Sequence, residues 1–142
     1  MTKISGPLLD RIDIHIEVPF VKYKELSSEV KSESSQNVRD RVIHARNIQL
    51  KRFKGMDHFF SNGDMSTKEV RNFCKLDSSG AELLKMAINK LGLSARAYER
   101  ILKVSRTIAD LENSPNILPQ HVSEAIQYRS LDRELWNHLC AM

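Results

Sequence analysis

A chain of 142 residues with 41% hydrophobic and 28% charged side chains is long enough for one domain with a real core. Its longest apolar runs are too short to cross a bilayer as a helix. The N-terminus lacks the apolar stretch of a signal peptide, and the two cysteines, Cys74 and Cys140, form neither a disulfide framework nor a metal-ligand spacing; together these features point to a cytoplasmic protein with buried or incidental thiols. The net charge of +4 and pI near 9.2 are compatible with nucleic-acid or nucleotide partners but define no site.

Gly6-Pro7-Leu8-Leu9-Asp10-Arg11 reads as a short helix start, because proline loses no hydrogen bond at the first helical position. Ile12-Asp13-Ile14-His15-Ile16-Glu17-Val18 then alternates strictly and stops at Pro19, the pattern of a half-buried strand with His15 on its exposed face. No second convincing strand follows. The expected strand therefore pairs with another molecule, belongs to a sheet missing from this chain, or finds a partner near Phe20–Leu26 that pattern alone does not reveal.

Tyr23 to Ser35 is polar and rich in Ser, Glu and Lys, as a linker would be. A helix is expected from Gln36 to about Lys54, with Val38, Val42, Ala45 and Phe53 on one face and Ile48 beside it. Arg39, Arg41, Arg46, Lys51, Arg52 and Lys54 surround more than one side of it. That distribution describes a solvated helix; the alternative is a nucleic-acid contact through Arg39, Arg46, Lys51 and Arg52.

Gly55 ends this helix, and Met56 to Met65 is a loop with the turn signal Asn62-Gly63-Asp64. Ser66-Thr67-Lys68-Glu69 is a capping box opening a short helix that turns Val70, Phe73 and Cys74 inward. Asp77 or Ser78 caps the next helix, whose stripe is Leu84, Ala87, Ile88 and Leu91, with Gly92 as its left-handed stop. The longest amphipathic run follows at once, from Leu93 to Leu111, so these two helices are expected to be antiparallel neighbours. Ala97, Ile101, Val104, Ile108 and Leu111 form one stripe and Tyr98, Leu102, Ser105 and Ala109 a second. Together they are wider than the roughly 100° apolar face of a surface helix, which makes this the central post of a helical bundle.

The remaining arc of the post carries Arg96, Arg100, Lys103 and Arg106. Ser94 is a good N-cap, which puts Arg96 in the first turn, where a cation opposes the helix dipole. Two explanations stand open: an exposed arginine paired with a nearby carboxylate, or an anion such as phosphate held at the helix N-terminus. Two more helices are expected, one from Pro119 with Val122, Ala125, Ile126 and Tyr128 packing, and one from about Asp132 to Cys140 anchored by Leu135, Trp136 and Leu139.

The phosphate-cradle pattern GxxxxGK[ST] is absent, as are GxGxxG, HExxH, GxSxG and CxxC. The histidines at 15, 44, 58, 121 and 138 share no ligand spacing, so no metal site is expected.

Several ungapped stretches nevertheless carry a resemblance. Ile4-Ser-Gly-Pro-Leu-Leu-Asp-Arg-Ile-Asp-Ile-His-Ile-Glu-Val-Pro19, Leu91-Gly-Leu-Ser-Ala-Arg-Ala-Tyr98, Arg106-Thr-Ile-Ala-Asp-Leu-Glu112 and Ala125-Ile-Gln-Tyr-Arg-Ser-Leu-Asp-Arg133 resemble the C-terminal part of the magnesium-chelatase-like AAA+ ATPases of the ComM/YifB type. The likeness covers nearly the whole chain. It implies a mainly α fold, a helical AAA+ lid at 35–142, joined by a linker at 23–34 to a remnant of the ATPase core at 1–22 that holds the short helix and the orphan strand.

The resemblance also implies a parent that binds ATP and magnesium, assembles with other subunits into a homo-oligomeric ring, a hexamer, and processes DNA during transformation or recombination. The segments that bind nucleotide would lie upstream, so no tightly bound cofactor and no ATP hydrolysis are expected of this chain alone. Pro-Leu-Leu-Asp-Arg places the arginine finger at Arg11, acting in trans, and Ser-Ala-Arg places sensor 2, which reads the ATP phosphate, at Arg96. A standalone helical module that binds nucleic acid or another protein is the alternative.

Overall fold

The computed structural model describes residues 11–16, 18–20 and 32–140, the last eleven of these by their backbone alone. Five α-helices occupy most of that length: α1 (Ser35–Arg52), α2 (Thr67–Phe73), α3 (Ser78–Leu91), α4 (Ala95–Leu111) and α5 (Pro119–Cys140), with a 3-10 turn at Asn62–Asp64. The mainly α class is therefore as expected.

Local signals set most of the boundaries. Ser34 caps α1, its hydroxyl accepting from the Asn37 amide at 3.2 Å. At α2 the capping box closes in both directions between Ser66 and Glu69. Asp77 caps α3 by accepting from the Gly80 amide at 2.7 Å. Gly92 then ends α3 in the left-handed region, with φ +62°, where a side chain would be strained.

The post is α4, as its width predicts. Ala97, Ile101, Leu102, Ser105, Ile108 and Ala109 are buried, against α5 on one side and against α1, α2 and the 3-10 turn on the others. Leu111 and Tyr98 are exposed, so each stripe is narrower at one end than the pattern suggested. Phe53 packs at the end of α1 in an aromatic group, its ring centre 6.0 Å from Phe59 and 5.6 Å edge-on from Phe73. That group draws the Met56–Met65 loop onto the bundle.

Three expectations are corrected. The helix α3 packs chiefly on α5 and not on α4; Gly80 lies close enough to Val122 that even a methyl group there would touch it. The last two helices are one, α5, because Tyr128 to Asp132 contains neither Gly nor Pro to break it. The Ile12–Val18 strand does not form among the described residues of that segment. Ile12, Ile14, Ile16 and Val18, the face expected to be covered, are exposed, and the backbone bond from the His15 amide goes to the Tyr128 carbonyl at 2.9 Å. An extended segment without a neighbouring strand has no ladder to join, and here it lies on helices instead. The Gly6–Asp10 helix start, residues 23–31 of the expected linker at 23–34, and the side chains of Leu135, Trp136 and Leu139 lie outside the described residues.

Candidate functional site

The N-terminal end of α4 gathers the candidate arginines. Ser94 is extended (φ −72°, ψ 162°), and its hydroxyl accepts from the Ala97 amide at 3.1 Å. Arg96 is the second helical residue and is exposed. Arg100 follows four residues later on the same face, a like-charge spacing that costs a few tenths of a kcal/mol. Asp13 offsets it: the Arg100 guanidinium pairs with the Asp13 carboxylate and donates to the Arg11 carbonyl at 2.6 Å.

Arg11 is itself exposed, and its backbone is held by the residue one helical turn beyond Arg96. A second guanidinium holds the same segment: Arg129, on the buried side of α5 with 1% of its surface accessible, donates to the Ile12 carbonyl at 2.8 Å. The His15 ring is half-buried with both nitrogens shielded from solvent, which is a correction to its expected place on an exposed face.

The other end of α4 is built around Asp110. This carboxylate is fully buried and accepts from Arg52 at 2.5 and 2.7 Å, from Arg106 at 3.1 Å and from the Asn62 amide at 2.8 Å. Arg106 also donates to the Ser114 and Pro115 carbonyls at 2.6 and 2.9 Å, so it ties down the turn that follows its own helix. Burial lowers the Arg106 pKa and the nearby Asp110 charge opposes that shift. The arc of cations expected on α4 is therefore dispersed: Arg106 faces inward, Arg100 faces the Arg11 segment, and Lys103 donates to the Gly63 carbonyl at 2.9 Å.

Of the four cations proposed to meet nucleic acid, Arg52 is corrected. Its side chain is only 13% exposed and is ion-paired with Asp110. Arg39, Arg46 and Lys51 are exposed. Arg39 and Arg46 stand seven residues apart on one face of α1, and Lys51 lies about a third of a turn round from them. Sequence reasoning missed Arg100, Arg129, Asp13, Asn62 and Asp110. The one local signal that could have found any of them is the Arg106–Asp110 spacing of four residues.

An open cleft of about 690 Å³ runs between α2 and the starts of α3 and α4, lined by Val70, Cys74, Leu84 and Leu102 with Arg71, Lys75 and Glu99 among its polar members. Burial pushes the Cys74 thiol up to about 11, so it stays protonated at neutral pH and is no nucleophile. Among the described residues no three His, Cys, Asp or Glu side chains gather where a metal ion would sit, and no helix is long and apolar enough to cross a membrane.

A helical bundle whose post begins at a capped, arginine-bearing end, without a phosphate cradle of its own, has the form of a lid-type helical domain. The family model described as magnesium chelatase, subunit ChlI C-terminal, matches residues 32–129, and the chain belongs to this magnesium-chelatase-like family of the ComM and YifB proteins. It is 43% identical over 136 residues to the competence protein ComM of Haemophilus influenzae, covering 95% of this chain and 26% of that protein. Identity and coverage are the same for the uncharacterized protein YifB of Escherichia coli. The uncharacterized protein Rv2897c of Mycobacterium tuberculosis is 32% identical over 129 residues, 89% of this chain and 25% of its own length. The chain thus spans about a quarter of the length of the curated relatives it matches.

Proposed function

We propose that this chain is the C-terminal lid, with a short remnant of the core, of a ring-forming AAA+ ATPase, and that Arg11 and Arg96 are its nucleotide-facing arginines. The observation that supports this most strongly lies at the N-terminal end of α4: Arg100, one turn beyond Arg96, holds the Arg11 carbonyl. A capped helix N-terminus with an exposed guanidinium in its first turn suits a phosphate oxygen. No carboxylate cluster for magnesium accompanies it among the described residues, so the residues here fit a phosphate contact and leave the metal to another part of the parent.

In this reading residues 1–22 close the ATPase core, 23–34 link, and 35–142 form the lid. ATP, bound by a cradle outside this chain, supplies the phosphoryl group. Arg96 donates to a phosphate oxygen, and Arg11 reaches across a subunit boundary to stabilise charge on the group being transferred. The parent is a cytoplasmic, DNA-processing hexamer.

In the full-length protein, Arg11→Ala is expected to lower kcat by about 10³-fold or more, the usual worth of an arginine finger, with ring assembly intact. Adding subunits that carry Arg11 but cannot bind nucleotide restores turnover if the finger acts in trans. Wild-type turnover by Arg11→Ala overturns the assignment.

The exposure of Arg39, Arg46 and Lys51 on α1 favours a second reading, a module that binds nucleic acid. It requires affinity for DNA that falls linearly in log–log form with salt. Titration of the chain with single- and double-stranded DNA at two salt concentrations decides it, and unchanged affinity in the Arg39→Ala, Arg46→Ala double variant removes α1 from that role.

A further inference from the structure

The segment that carries Arg11 is held to the bundle by means unusual for an apolar sequence. Ile12, Ile14 and Ile16 are exposed, so burial of their side chains does little to fix it. It has no strand partner among the described residues. What fixes it is a set of polar bonds from two helices: Arg100 to the Arg11 carbonyl and the Asp13 carboxylate, Arg129 to the Ile12 carbonyl, and the Tyr128 carbonyl accepting from the His15 amide.

Four residues, Arg11, Ile12, Asp13 and His15, are thereby tied to α4 and α5 from 87 to 117 positions away in sequence. The Arg11 and Ile12 carbonyls accept through the backbone, so the attachment fixes the main chain of Arg11 rather than its guanidinium. That leaves the long side chain to reach outward from a fixed root. Arg129 has almost no access to solvent, so its bond to the Ile12 carbonyl at 2.8 Å is made from inside the bundle.

We propose that Arg100 and Arg129 are positioning residues that lock the Arg11 segment to the lid helices, so that Arg11 and Arg96 move as one rigid unit. The proposal rests on the reading of those two arginines as nucleotide-facing. Its consequence is a gear between neighbouring sites. Arg96 lies about 6 Å along the helix axis from Arg100. A lid that shifts when Arg96 loses its phosphate contact carries the root of Arg11 with it, and withdraws or presents that arginine at the adjoining subunit.

Two measurements test this separately from the reading beneath it. The first uses this chain alone. Amide hydrogen exchange at His15 is expected to be slow, and to accelerate by about tenfold or more in Asp13→Ala and Arg129→Met, while the Ile101 and Ala109 amides in the core keep their protection. Asp13 is more than half exposed, so its variant folds even where loss of the buried Arg129 does not. A His15 amide that exchanges equally fast in the parent and both variants overturns the lock.

The second uses the full-length protein. Asp13→Ala and Arg100→Met are expected to lower kcat by roughly tenfold with KM for ATP within about twofold, since ground-state binding is untouched. Arg100→Lys, which keeps the charge and a single donor nitrogen in place of the guanidinium fork, recovers part of the loss. Full turnover in Arg11→Ala sinks the nucleotide reading itself. An inactive Arg11→Ala beside fully active Asp13→Ala and Arg100→Met leaves that reading standing and overturns the coupling.

Discussion

Asp110 shows how a single buried carboxylate organises three parts of the chain. Its oxygens accept from Arg52 of α1, Asn62 of the 3-10 turn and Arg106 of its own helix. Asp110→Asn keeps the shape and removes the charge, leaving two guanidinium groups facing each other out of solvent. The loss is expected to be about 3–5 kcal/mol, the range for breaking a buried pair from one side, read by chemical denaturation; a change under about 1 kcal/mol contradicts this account.

Asp64 sits below its ordinary 3.8 because the Phe60 amide and the Ser61 hydroxyl donate to it. Glu69 and Glu112 sit below 4.5, chiefly through hydrogen bonds from Ser66 and from His121. Each binds its proton more weakly folded than unfolded, so its contribution is complete above the unfolded value and disappears as pH falls through the lowered native one. Melting temperature is expected to fall from about pH 4.5 downward, and less steeply in Glu112→Gln.

None of the Asp110 cluster was legible as such. Arg52 and Asp110 are 58 positions apart, and on the sequence Arg52 is one more cation on a basic helix. Periodicity reports which face of a helix is apolar; it is silent on which surface cation finds a carboxylate in another element.

At the scale of elements the sequence was more informative, because a cap needs only a few neighbouring residues. Ser66, Asp77 and Ser94 cap as expected, and Ser34, expected in the linker, caps as well. Removing the Ser94 hydroxyl in Ser94→Ala is expected to cost about 1 kcal/mol, and Gly92→Ala a similar amount, about 1 kcal/mol, because alanine resists the left-handed geometry. Both are read from denaturant midpoints, and a neutral Gly92→Ala means the turn relaxes into another form. The Ile12–Val18 segment shows the limit of the same logic. Its alternation is real, but a strand is a relation between two segments, and these residues meet helices. The choice of α5 over α4 as the partner of α3 was equally out of reach, since both present apolar faces and chain adjacency favoured the wrong one.

The molecule as a whole is a helical domain of the magnesium-chelatase-like family, and that much was readable because long ungapped motifs survive in order along the chain. Where Arg11 lies relative to Arg96 was not readable, since it depends on how an irregular segment crosses two helices. On its own the chain is expected to show no turnover of ATP, as it lacks the GxxxxGK[ST] cradle; a phosphate-release assay with the purified chain checks this, and clear turnover contradicts it.

One feature of α1 bears on handling the protein. The face that buries Ala45 and Gln49 continues toward the N-terminus through Val38 and Val42, which are 40% and 47% exposed, so the first two turns overhang the bundle. Fraying should make the bonds after Arg39 and Arg41 early targets for trypsin, while Arg52, clasped at Asp110, resists. Brief digestion is therefore expected to shave the overhang and leave a stable remainder that starts within α1, a natural boundary for trimming the domain.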